Sequence, residues 1–335
     1  MTTAFQKMGC NSVRAKFIFC LMSSRRCLSA QPVRSTAASG SQVYESERAV
    51  NEYLLAHYGD QSDQMPYDFG PKDGSNFSGY LAQLCIEKRK GMKNGRALDV
   101  GCAVGGLTFR LTAGFDEVVG IDYSQHFVDA ANKMKSDGQM NFTILKQGDI
   151  FEPRITSFPK EIDRSKASFE HGDACNLNRT LGTLEFSYED KLNFSILISF
   201  IKTLSASHPL GTFDLIIGTN LMCRLPSPRA FLKSVSQFLN PGGMLILVSP
   251  YSWLEEYTAK AEWVGAQTKE SGKNLDSYEQ LSSFMQSTSP SMSIIHRENV
   301  PFTIREHERK FQYGVSDCVV FLKSEITSKP QEKEL

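Results

Sequence analysis

The stretch ALDVGCAVGG, residues 97–106, constrains the fold more than any other part of the chain. The apolar strand signal RALDV runs straight into a loop holding Gly101, Gly105 and Gly106. Glycine enters left-handed backbone without a Cβ penalty, so the strand is expected to break sharply there. Leu107 to Thr112 then opens a helix, and EVVGI, residues 117–121, reads as a second buried strand. Apolar strands alternating with helices imply a parallel sheet.

The same rhythm continues on both sides. Glu45 to Gly59 predicts a helix, with acids in the first turn and a terminal glycine, and Tyr80 to Lys90 predicts a second. Phe127 to Lys135 is a third. A strand precedes His171, FDLIIG at 213–218 is another, Arg229 to Leu239 is a helix, and MLILVS at 244–249 is a central strand. NPGG at 240–243 is read as the turn between that helix and strand. Phe302–Arg309 and Ser316–Lys323 pair as an antiparallel hairpin. The fold class is therefore α/β and Rossmann-like, a mostly parallel seven-stranded sheet with helices on both faces and an antiparallel C-terminal hairpin.

Charge is unevenly spread. Residues 1–43 carry six Lys/Arg and no acid, leaving 31 basic against 37 acidic residues in the rest. An acidic body argues against nucleic acid as a partner. The basic, Ser-rich start reads either as a mitochondrial presequence, with mitochondrial rather than cytoplasmic location, or as a basic disordered tail. No apolar run approaches the roughly 20 residues that a membrane span needs. The eight cysteines form no C-x-x-C pair, so no metal site is expected. Leu181-Gly182-Thr183 recurs as Leu210-Gly211-Thr212, which marks residues 183–211 as an insertion or as an ordinary extra helix. The domain is bounded at 44–323, followed by a disordered tail at 324–335.

The glycine loop misses the dinucleotide pattern G-x-G-x-x-G at Ala103. Asp122, 21 residues after Gly101, suits the ribose of either a nicotinamide or a S-adenosylmethionine cofactor. Three features favour the second. Asp99 brings a negative charge beside the loop, where a pyrophosphate would be unwelcome. Asp173, in HGDA, is placed to accept from an adenine amino group. FDLIIGTNLM followed by FLKSVSQFLNPGGMLILVSP has the strand–loop–helix–turn–strand layout of class I methyltransferases. The expected cofactor residues are Asp99, Gly101, Cys102, Ala103, Gly105, Asp122, Tyr123, Asp173, Ala174 and Asn220. In this expectation Asp99 faces the methionine end and Asn220 the reacting methyl.

YESERAVNEYLLAHYG, LDVGCAVGGLTFRL, GIDYSQHFVDAA, GDACNL, NPGGMLILVSPYSWLEEYT and PFTIREHERKFQYGVSD resemble the C-terminal methyltransferase domain of ovothiol synthases. The likeness spans roughly 44–322, interrupted at 183–211 and at a presumed loop, 152–167. It implies methyl transfer to N1 of a 4-mercaptohistidine-like small molecule. The iron-dependent region of those synthases has no counterpart in this sequence, so the transfer step alone is expected, on that thiol or on another acceptor. Other substrate classes, such as a protein or a different metabolite, and a non-catalytic cofactor-binding role are the alternatives. Candidate acceptor-binding residues are Tyr53, Asn76, Phe77, Arg224, Trp253 and Arg305. Arg224 suits a carboxylate and Trp253 suits ring stacking. His57, His307 and Tyr251 are the candidate catalytic residues. The sequence sets no oligomeric state.

Overall fold

In the computed structural model the described residues are 39–89, 95–158, 162–177 and 211–325. Most of the basic N-terminus, the suggested insertion, its predicted helix and most of the tail lie outside them. The helices are α1 (Glu47–Tyr58), α2 (Gln61–Gln64), α3 (Phe77–Lys88), α4 (Gly106–Leu111), α5 (Gln125–Asp137), α6 (Pro228–Val235) and α7 (Ser277–Gln286). The strands are β1 (Arg96–Val100), β2 (Glu117–Asp122), β3 (Gln139–Gln147), β4 (Ile150–Ser157), β5 (Ala167–His171), β6 (Phe213–Thr219), β7 (Leu239–Ser249), β8 (Gln267–Thr268), β9 (Asn274–Leu275), β10 (Met292–His307) and β11 (Lys310–Lys323).

Local chemistry explains the boundaries. Ser46 caps α1 by accepting from the Ala49 N–H, and Ser124 caps α5 by accepting from the Phe127 N–H. Pro228 opens α6, where a missing N–H costs nothing. The seven-stranded sheet has the order β10-β11-β7-β6-β1-β2-β5. Strands β7, β6, β1, β2 and β5 are mutually parallel, while β11 is antiparallel to both β7 and β10. The parallel strands are buried on both faces. On one face α3 and α4 cover Ala97, Leu215, Ile217 and Ile246. On the other, α6 and α7 cover Leu98, Ile216 and Leu245, with Phe231 of α6 seated among them. Phe231 is fully buried, and removing such a side chain from water contributes on the order of 2–3 kcal/mol.

Three expectations need correction. Residues 139–157 form a hairpin of their own, β3–β4, so 152–157 is strand rather than loop. Its only buried apolar anchors are Phe142 and Ile144, too few to give a clear strand period. NPGG is not a clean turn: β7 already pairs at Leu239 with Phe213, loops out through Gly242 (φ 73°), and resumes at Met244 with Leu215. The C-terminal hairpin is much longer than predicted, and Arg309 falls in its turn.

That extra length positions the site. Asn299 pairs with Asp317 and Asp317 with Ser249, the last residue of β7. The hairpin therefore overshoots the carboxyl edge of the sheet by eight residues, to His307. There it is tied down. Arg305 Nη1 donates to the Asp63 carbonyl, Lys146 bridges Glu152 and Glu308 at 3.2 and 3.1 Å, and Arg154 pairs with Asp63 at 2.8 Å. Helix α1, hairpin β3–β4 and this overshoot together roof the sheet edge.

Candidate active site

Ligands bind outside the carboxyl ends of the strands in open α/β sheets. The backbone is most distorted there. Ala103 (φ 47°), Asn220 (φ 51°) and Tyr251 (φ 50°) are left-handed without being glycine. They follow β1, β6 and β7 in turn. Each such residue costs on the order of 1–3 kcal/mol and persists where the surroundings enforce it. Gly101 (φ 77°) and Gly105 (φ 83°) supply the other sharp bends. A Cβ on Gly105 would lie 2.6 Å from the Phe169 ring. The loop is pinned to β2, since Gly101 and Cys102 N–H groups donate to the Ile121 carbonyl.

Asp122 ends β2 half-buried. Its Oδ2 accepts from the Ala103 N–H at 2.8 Å and its Oδ1 from the Ser124 N–H at 2.9 Å. Burial pushes its carboxyl up to about 6 against those two bonds. A carboxylate has about four acceptor positions, so it can hold this loop and still accept from vicinal hydroxyls. Asp173 Oδ1 accepts from the Cys175 N–H at 2.8 Å, beside half-exposed ring surface: Tyr123 is 41% exposed, with its ring 5.6 Å from His171. The Asn220 N–H donates to Val248 O, and its Oδ1 accepts from the buried Ser316 hydroxyl at 2.7 Å. These residues do converge on one edge.

Asp99 does not take the expected place. It is 1% exposed and lies beneath the loop, where Oδ2 accepts from the Thr108 hydroxyl at 2.7 Å. Its contribution is to hold α4 against β1. Burial pushes this carboxyl up to about 7. Cys102 is likewise sealed, 2% exposed, so it packs the loop from below.

The start of α4 is already engaged by a side chain. The Gly106 N–H, which a pyrophosphate would seek, donates to His57 Nδ1 at 3.0 Å. A Cβ on Gly106 would stand 2.6 Å from His57. The Tyr58 hydroxyl donates to the Val104 carbonyl at 2.7 Å. The end of α1 thus lies on the loop where phosphates would go. Desolvation lowers the His57 pKa to about 3, and nearby Arg110 adds to it. The ring is neutral, with Nδ1 accepting and its proton on Nε2. As a catalytic base His57 would have to surrender the loop.

An aromatic wall packs beside the loop, against the cluster that holds Cys102, Ala103, Val104 and Phe127. Tyr44 lies 6.2 Å from Tyr53, 6.0 Å from Phe127 and 6.4 Å from Tyr257, ring to ring. The Arg224 guanidinium stands 4.7 Å over the Tyr257 ring. Arg224 is anchored through Nη1, which donates to the Ser252 carbonyl at 2.6 Å. Burial pushes the Tyr44 hydroxyl up to about 12, and Tyr257 and Arg224 act on it directly. Burial also raises the Tyr53 hydroxyl, with Tyr44 and Asp122 within electrostatic range. Tyr53 and Arg224 lie on the same side of the site, with Tyr44 between them. Tyr44 and Tyr257 were missed, although both lie inside the motifs YESERAV and SPYSWLEEYT.

The remaining candidates go elsewhere. Trp253 is 7% exposed, donates to Ser277 Oγ and stacks on Trp263 in the core. The Tyr251 hydroxyl donates to Asp317 at 2.9 Å, and its ring lines a groove of about 380 Å³ with Ala266 and Asp276. Phe77 packs on Phe302 at 5.6 Å, and Asn76 is exposed at the start of α3. Arg305 and His307 belong to the roof. His307 Nδ1 accepts from the Arg309 N–H. No group of metal-ligating side chains occurs among the described residues, and no helix among them is long and apolar enough to cross a membrane.

A family model described as a methyltransferase domain matches residues 77–289. Among solved structures, a SAM-dependent methyltransferase from Methanosarcina mazei is 15% identical, with 72% of this chain and 97% of that one covered at a TM-score of 0.42. Magnesium protoporphyrin IX methyltransferase from Synechocystis PCC 6803, with bound SAM, is 13% identical over 83% and 98%, at 0.40. A putative RNA methyltransferase from Pyrococcus horikoshii is 13% identical over 85% and 99%, at 0.42. No curated protein matches the chain in sequence. The fold is that of the class I methyltransferases, and the cofactor is S-adenosylmethionine. The chain belongs to the methyltransferase-domain family.

Proposed function

We propose that this methyltransferase acts on a ring nitrogen of a small histidine-like molecule, of the 4-mercaptohistidine kind. The observation that carries the reading is Arg224 standing over Tyr257 inside the wall of Tyr44 and Tyr53, on the same edge as Asp122. A guanidinium within aromatic rings suits a planar ring bearing a carboxylate. The resemblance to the methyltransferase domain of ovothiol synthases points the same way.

When bound, the cofactor supplies an activated methyl carbon for in-line displacement. The protein's part is alignment and exclusion of water. Asp122 accepts from ribose hydroxyls while holding Ala103, and Asp173 with Ala174 meets the adenine edge. Arg224 would clamp the acceptor's carboxylate, and its ring would pack against the edge-to-face pair Tyr44 and Tyr53. Asn220, held through Ser316, fixes the floor between the two halves. A neutral imidazole nitrogen is already nucleophilic, so no strong base is required. The three candidate bases are all engaged in other bonds, and the product proton leaves to water.

The test is methyl transfer from labelled S-adenosylmethionine to 4- and 5-mercaptohistidine, histidine and a cell extract. Label is expected on the mercaptohistidine ring. Label found only on macromolecules would overturn the small-molecule reading.

A further inference from the structure

Helix α1 touches both halves of the site. Its last residues grip the glycine loop: the Gly106 N–H donates to His57 Nδ1 at 3.0 Å, and the Tyr58 hydroxyl donates to Val104 O at 2.7 Å. The fit is close, because any Cβ on Gly106 would collide with His57 at 2.6 Å. One turn earlier, Tyr53 enters the aromatic wall, 5.9 Å from the His57 ring and 4.8 Å from Phe127. Residues four apart share a helix face, so Tyr53 and His57 move together. The wall is also tied to the end of β2, since the Ser124 hydroxyl donates to the Tyr44 carbonyl at 3.0 Å.

We infer that His57 is a positioning residue that couples the two halves of the site, fastening the cofactor loop to α1 so that cofactor binding orders the acceptor wall. The inference rests on the acceptor reading above, for which Tyr53 is wall rather than core. The group that matters is the acceptor lone pair at Nδ1. Asparagine places its Oδ1 at nearly the same point, glutamine places its oxygen further out at the Nε2 position, and alanine has none. The ring's Nδ1 is spent on the Gly106 N–H, and its neighbours Arg110 and Tyr58 serve the same loop: Arg110 Nη1 donates to the Gly106 carbonyl at 2.8 Å.

The experiment uses the full chain and S-adenosylhomocysteine as the probe, with calorimetry for affinity and hydrogen exchange for order. In the wild type, the probe is expected to slow exchange both in 104–111 and along α1 through Tyr53. In His57→Ala the affinity should fall about tenfold, the worth of one lost hydrogen bond to a fixed donor. Protection should then stop at the loop. His57→Asn should restore both readouts to within about threefold of wild type, and His57→Gln should not. Protection of α1 that survives in His57→Ala, or Asn and Gln variants that behave alike, would overturn the coupling. If the alanine variant does not fold, the Asn–Gln pair decides alone. A wild type that binds no probe would overturn the cofactor assignment instead, and the labelling experiment above judges the acceptor reading separately.

Discussion

Along the cofactor half of the site, residues 101–106 and 122 are placed by backbone: left-handed turns, N–H groups and one carboxylate that accepts from two of them. Beside it, Arg224, Tyr44, Tyr53 and Tyr257 are placed by side chains from four separate segments. The first half tolerates little change, because each position answers to φ or to a missing Cβ. The second half answers to size and charge, which is where an enzyme of this fold adjusts its acceptor.

The sharpest way to break that contrast is a crossed pair of variants. Asp122→Ala should weaken S-adenosylmethionine binding at least about 100-fold, because a charge-assisted contact is lost and two backbone donors are orphaned. Arg224→Met should leave that affinity nearly unchanged and lower kcat/KM for the proposed carboxylate-bearing acceptor by about 100-fold. Calorimetry and steady-state rates read both, and a matching loss of cofactor affinity in both variants would dissolve the distinction.

Gly106→Ala is the next largest. The new Cβ must displace His57 or the loop, so a loss on the order of 1–3 kcal/mol is expected by denaturant titration, together with weaker cofactor binding. Full stability would show that the clamp is slack.

Protonation offers a gentler probe. The folded-state pKa of Asp99 is raised to about 7 from an ordinary 3.8, and that of Asp122 to about 6. In this range the folded chain holds more protons than the unfolded one, so stability falls as pH rises from about 4 to 7. Asp99→Asn keeps the acceptor for Thr108 and should flatten that slope by on the order of a few kcal/mol, seen in thermal melts across the same range. An unchanged slope would place the carboxylate in a wetter setting than its 1% exposure implies. The smallest effect belongs to Ala103→Gly, which relieves a left-handed alanine and should stabilise the fold by about 0.5–1 kcal/mol in denaturant titration. No gain would mean that Asp122 holds Ala103 there without strain.

The same contrast explains what could be read in advance. The strands, the glycine loop, Asp122 and Asp173 were visible because main-chain geometry leaves residue-type signatures at fixed spacing. Asp99 was noticed for its charge, yet spacing alone could not tell a carboxylate facing a ligand from one sealed under Thr108. Tyr44 and Tyr257 carry no local signature, since 213 positions separate them and only tertiary packing brings their rings together. The segment holding the candidates Arg305 and His307 reads as a short hairpin strand. It belongs to the overshooting hairpin, whose length depends on contacts with α2 and β3–β4 that no strand pattern encodes.

That hairpin sets a timetable. The bond from Arg305 to Asp63 closes a loop of 242 residues, and the one from Tyr313 to Asp73 a loop of 240. Contacts so distant in sequence form late and slow folding. On the ribosome, a nascent chain can lay down α1, β1, the glycine loop, β2 and the β3–β4 hairpin long before β10 and β11 emerge. The cofactor edge then waits under an unfinished roof until nearly the last strand has been made.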